Sequence, residues 1–142
     1  MPIKDIEINL IDARRVSKRG EKLANIRIDN NSTVTLISPG SSGEAAIEFR
    51  YTANYGGIGS IRIEGALTYS GNVDELMKMW ASTNNMPDDI ASEIHTAIMS
   101  ACVPEAVTIS RDIKLPPPIP LPQINIKKSD KKQSKSSNME IA

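Results

Sequence analysis

The residues that most constrain the fold run from Ala45 to Tyr69, where side chains of two kinds alternate almost without a break. In AAIEFRYTANY, Ala45, Ile47, Phe49, Tyr51, Ala53 and Tyr55 fall on one side and Ala46, Glu48, Arg50, Thr52 and Asn54 on the other. After GGIG the pattern resumes, with Ile61, Ile63, Gly65, Leu67 and Tyr69 against Ser60, Arg62, Glu64, Ala66 and Thr68. Successive side chains of a strand point to opposite faces, so a period of two predicts two long strands, each with one buried and one wet face. The run Gly56-Gly57-Ile58-Gly59 predicts a tight connection at Tyr55–Ser60. A large, one-sided antiparallel sheet is the expected core, and no catalytic motif lies on or near it.

The flanking segments read as partners for that hairpin. Ile6, Ile8 and Leu10 alternate with polar neighbours and predict a first strand over 3–11. RRVSKRGEK (14–22) reads as a basic loop or hairpin tip. A second strand is expected within 24–37, bent near Asn30-Asn31, with a turn at Ser38–Gly43. Beyond Ser70-Gly71-Asn72 the period changes. Asn72 and Glu75 have capping-box spacing, and Asp74 and Glu75 suit the positive end of a helix dipole. Leu76, Met77, Trp80 and Ala81 share a side, which predicts a helix over 73–83. Pro87 or Asp88 opens a second helix whose apolar stripe is Ile90, Ile94, Ala97, Ile98 and Ala101. Pro104 is expected to stop or kink it, leaving 105–113 as a further helical segment.

Leu115–Pro122 (LPPPIPLP) predicts an extended proline arm. Its Ile119 and Leu121 favour packing on its own fold or a sister subunit over display to a proline-reading domain. Residues 127–142 (KKSDKKQSKSSNMEIA) have the composition of disorder. Strands first and helices after imply an α+β fold. The expectation is a four-stranded antiparallel meander with two or three helices on one face and an extended Pro-rich C-terminal arm. The domain would span 1–126, including the arm at 115–122, with 127–142 as a Lys/Ser-rich tail.

Charge sharpens the functional reading. The chain is formally neutral, yet residues 64–112 carry two Lys/Arg against eight Asp/Glu, and 127–142 carry five against two. Neutrality therefore conceals an acidic helical half and a basic tail. A single cysteine, Cys102, allows no internal disulfide, and no apolar run is long enough to span a bilayer. With no signal-peptide core at the N-terminus, a cytoplasmic protein is expected.

Little in the sequence suggests catalysis. His95 is the one histidine and reads as a boundary residue. Cys102 lies seven positions on, about 10 Å along a helix axis, too far for a nucleophile–base pair. The pairs Asp74-Glu75 and Asp88-Asp89 stand where helix starts favour anions anyway. The glycines at 56–59 join two strands, which is not a phosphate-binding geometry. Neither a metal nor a cofactor is expected. Met77, Met79, Met86 and Met99 gather with Trp80 in the helical half, as core packing or as an adaptable binding surface.

Two stretches resemble the SecB-type export chaperone family. One is EFRYTANYGGIGSIRIEGALTYSG within Ala45–Gly71, similar to that family's central hairpin. The other is CVPEAVTISRDIKLPPPIPLPQINI, where Cys102, Pro104, Arg111, Pro116–Pro118, Leu121, Pro122 and Ile124 stand at comparable positions. The resemblance implies a four-stranded antiparallel sheet with helices on one side, homo-oligomerisation, and apolar grooves that bind unfolded polypeptides. On that reading the chain is a non-enzymatic, chaperone-like module that holds a non-native or specific polypeptide, with Met77, Trp80 and Met86 near the groove. The alternative is an accessory component of a ribonucleoprotein such as the ribosome. It would touch RNA through Arg14, Arg15, Lys18 and Arg19 of the 14–22 loop and Lys127, Lys128, Lys131 and Lys132 of the tail. No aromatic residue is interleaved with these cations, so base stacking is not part of that reading.

Overall fold

The computed structural model describes residues 2–18 and 26–118. Four strands, β1 (Ile3–Arg15), β2 (Asp29–Pro39), β3 (Ala45–Asn54) and β4 (Gly59–Tyr69), precede two helices, α1 (Val73–Thr83) and α2 (Asp88–Asp112). A short 3-10 turn, Gly56–Ile58, closes the β3–β4 hairpin. The α+β class and the antiparallel sheet agree with the alternation, and register places Ala45 opposite Tyr69 and Ala53 opposite Ile61.

Strand order corrects the expected meander. It is β1-β4-β3-β2, so β1 lies beside the last strand, as in a Greek key. The segment after β1 does not turn back as a hairpin. Instead the Val16 and Ser17 amides donate to the Ile58 carbonyl at 2.7 and 3.2 Å. Those bonds hold Val16 and Ser17 at the tip of β3–β4, and β2 begins on the other side of that hairpin, with Asp29 opposite Asn54. Arg14 and Arg15, expected in a loop, are the last residues of β1, opposite Ser60 and Gly59.

β1 departs from simple alternation for a second reason. Its register against β4 slips between Lys4 and Glu7 and again between Ile8 and Leu10. Each slip is a bulge that reverses which face the next residue takes. Ile8 therefore pairs with Gly65 on the inner side while Leu10 pairs with Glu64 on the outer side. Asp5, in the first bulge, takes a left-handed backbone (φ 55°), which a short polar residue tolerates. Gly65 is needed here: a Cβ would lie 2.1 Å from the Glu7 carbonyl oxygen and 2.8 Å from the Phe49 ring.

The inner faces of β3 and β4 form the core with α2. Ala45, Ile47, Phe49, Tyr51, Ala53, Ile61, Ile63, Leu67 and Tyr69 are all buried. Across them lie Ile90, Ile94, Ile98, Cys102, Ala106 and Ser110, one every fourth residue. Steps of four advance the face by about 40° each along a straight helix, so burial spirals as α2 crosses the twisted sheet. The predicted stripe caught its first half; Ala97 and Ala101 are only half-buried.

Pro104 does not end this helix, and 105–113 is no third one. Its missing N–H would have gone to Ser100, and Pro104 and Ser100 are both exposed, so water can take the freed carbonyl. The described residues thus hold two helices. α2 ends in a Schellman turn: Lys114 is left-handed (φ 61°), and the Leu115 and Lys114 amides donate to the Ser110 and Arg111 carbonyls at 2.8 and 3.3 Å. That turn starts the proline segment. Leu115 is buried; the Tyr55 hydroxyl donates to the Pro116 carbonyl at 2.7 Å, and the Asn30 amide to that of Pro118. The rest of the arm, Ile119–Pro122, the strand expected at 123–126 and the tail lie outside the described residues.

Candidate polypeptide-binding cleft

α1 is set by its caps. The Asn72 side chain accepts from the Glu75 amide (3.3 Å) and donates to the Glu75 carboxylate (3.2 Å). Asn84, left-handed at φ 59°, closes the other end through its amide to the Trp80 carbonyl. One face of α1 is inward: Leu76 is buried, and Val73, Met77 and Trp80 pack against the core. Flanking that inward face, Glu75, Met79 and Thr83 follow one another at i, i+4 and i+8.

That stripe forms one wall of an open cleft of about 910 Å³. The connector supplies Asn85, Met86 and Pro87, and the start of α2 supplies Asp88, Asp89, Ala91 and His95. Methionines and an alanine make its apolar part; Glu75, Asp88 and Asp89 give it negative charge. Among the described residues neither Asp88 nor Asp89 is in an ion pair. The helix dipoles do little to change this, because the negative end of α1 and the positive end of α2 meet at the connector. His95 ties the wall to the sheet, with its Nδ1 2.7 Å from the Ser32 hydroxyl of β2. Burial holds the imidazole below its ordinary pKa.

Of the three residues expected near a groove, Met86 lines this cleft, while Met77 and Trp80 are half-buried against the core. Met79, 37% exposed, lines it as well. Its signal in the sequence was the i, i+4, i+8 spacing of 75, 79 and 83, a stripe that borders the buried side of α1. Of the proposed RNA contacts, Arg14 is exposed and 3.9 Å from Asp12, and Arg15 donates to the Ser17 carbonyl at 2.8 Å. Lys18 ends the first described segment; Arg19 and the four tail lysines lie outside the described residues.

Cys102 is buried beneath α2, and burial, helped by Glu105, pushes its thiol up to about 11, far from a reactive thiolate. The Tyr51 and Tyr55 hydroxyls are pushed up to about 12 by burial and serve as donors, Tyr51 to the Asn30 side-chain oxygen. On the outer sheet face Arg50 meets Glu64 at 2.9 Å, and Arg62 meets Asp12 at 3.4 Å, a solvated ion ladder. Among the described residues no group of acidic, His or Cys side chains is placed to hold a metal, and no helix is long and apolar enough to cross a membrane.

No protein-family model matches the chain. No curated protein matches it either. Among solved structures it is similar to the Mycobacterium tuberculosis SecB-like chaperone in complex with a ChAD peptide from the HigA1 antitoxin. That likeness covers 81% of each chain at 12% identity, with a TM-score of 0.52. The fold is therefore distantly SecB-like. The comparisons lend no support to the ribonucleoprotein alternative.

Proposed function

We propose that this protein is a non-enzymatic, chaperone-like module that holds polypeptide segments in the cleft between α1 and α2. The observation that carries the reading is the pairing of Met79 and Met86 with three carboxylates on an open surface of a SecB-like fold. Methionine adapts to varied apolar side chains, and the carboxylates favour segments that also carry Lys or Arg. The structural neighbour was solved with a bound peptide, which supports the same class of ligand. The domain is read as 1–126, followed by the basic tail, in a cytoplasmic setting. Self-association is part of the reading: β1 and β2 are the sheet's two edges, and Ile11 and Val16 are 50% and 64% exposed.

The test is aggregation of a urea-unfolded model client on dilution. The full chain should slow it at stoichiometric ratios, and the Met79→Ser variant, altered at an exposed position, should do so several-fold less well with an unchanged unfolding midpoint. Failure of the wild-type chain to delay aggregation rejects the reading.

A further inference from the structure

We propose that residues 127–142 of this chain dock on the α1–α2 cleft of the same molecule and compete there with any client. This rests on the polypeptide-binding reading of that cleft. Three independent features converge on it.

Charge is the first. The cleft carries Glu75, Asp88 and Asp89, within a helical half that is strongly acidic. The tail carries Lys127, Lys128, Lys131, Lys132 and Lys135 against Asp130 and Glu140. Other surfaces suit it less, since at the end of β1 and on the outer sheet face Asp12 and Glu64 are already paired with Arg14, Arg50 and Arg62.

Apolar content is the second. A purely basic tail would leave Met79, Met86 and Ala91 unmatched. This one also brings Met139 and Ile141, side chains of the right size to lie on a methionine surface.

Chain path is the third and most specific. The described chain ends at Pro118, whose carbonyl accepts from Asn30 at the start of β2. Two residues along that strand, about 7 Å away, Ser32 bonds His95, which lines the cleft. The chain therefore leaves the described structure beside the site. Residues 119–126 are rich in proline, and at a rise of about 3.1 Å per residue they can bridge up to about 25 Å. The first lysines are thus within reach on a tether short enough for a millimolar effective concentration. At that concentration even a weak tail–cleft contact reduces the affinity for a competing peptide.

The test keeps the full chain. Ser136→Cys carries a nitroxide spin label; buried Cys102 stays unlabelled. Amide signals of Met79, Met86 and Ala91 should broaden while those of Arg50 and Thr52 do not, and the broadening should fade in 500 mM NaCl. A sample mixing isotope-labelled chains without nitroxide and unlabelled chains with it should show none. Absence of selective broadening at the cleft, or its appearance in the mixed sample as well, overturns the proposal.

A fluorescein-labelled synthetic peptide of residues 127–142 gives the second readout. It should bind at least fivefold more tightly to a full chain with all five tail lysines changed to Ser than to the wild type; equal affinity, or no binding to either, overturns the proposal. Client holding separates the two ideas. A wild-type chain that delays aggregation but shows no tail contact loses only the tail proposal, whereas one that does neither loses both.

Discussion

The β3–β4 hairpin and helix α1 with its connector face the same solvent, but only one of them is closed to it. On the hairpin every inward side chain is sealed under α2, and its outward side is charged and paired across strands. On α1 a single residue, Leu76, is fully buried, and the exposed side carries methionine beside carboxylates that form no ion pair among the described residues. The hairpin spends its apolar surface on folding; α1 keeps part of its own available. Stability and binding are thus assigned to different elements, and β2 fastens the α2 wall of the cleft through Ser32 and His95.

The sharpest way to break that contrast is to truncate one residue from each region. Phe49→Ala should lose about 3–5 kcal/mol, because it empties a closed core and uncovers Gly65. Met79→Ala should change stability by no more than about 0.5 kcal/mol, as at a surface position. Urea unfolding of both variants decides it. Comparable losses would mean that the Met79 wall is core, and the cleft would lose its standing as a binding surface.

The same division explains what was legible in the sequence. Strands 45–54 and 59–69 announce themselves because each residue's neighbours sit at fixed offsets on adjacent strands. The bounds of α1 were readable because Asn72, Glu75 and Asn84 act within one turn of their own backbone. β1 was misread where distant chain intervenes: its bulges answer to Phe49 and Gly65, more than forty residues away. Strand order was hidden for a similar reason, since adjacency in sequence favours a meander and only the passage of Val16 over Ile58 rules it out. Pro104 misled because its local rule ignores which side of the helix meets water. In the cleft, Met86 was legible from composition. Met79 and the three carboxylates were not, because their convergence depends on how α1 and α2 lie together.

A second comparison sets the anchored start of the proline arm against the cleft it adjoins. Asn30 joins the Tyr51 hydroxyl to the Pro118 carbonyl, so Asn30→Ala strips partners from both. The expected loss is about 1–3 kcal/mol, the scale of leaving buried polar groups unsatisfied. Tyr51→Phe in the same background should cost less than it does alone, since its hydroxyl has already lost its acceptor. Strict additivity of the two losses in urea unfolding would show that the bridge does not couple β2, β3 and the arm.

The smallest effect concerns His95, which lines the cleft and meets Ser32 of β2. Glu75, Asp88 and Asp89 share its cleft and would favour the imidazolium, yet burial against β2 prevails and holds its pKa below the usual 6.5. The unfolded chain therefore takes up the proton first as pH falls. The stability that comes from keeping this ring neutral is complete above 6.5 and declines as pH drops through the folded-state pKa. Carboxylates elsewhere also respond to acid, so the informative quantity is a difference. Between pH 7.5 and 5.5 the urea midpoint of the wild type should fall further than that of His95→Gln, which keeps a polar side chain able to reach Ser32 but cannot titrate. Equal falls would mean that the imidazole is as well solvated as in the unfolded chain, and that the Ser32 contact does not fasten the cleft wall to the sheet.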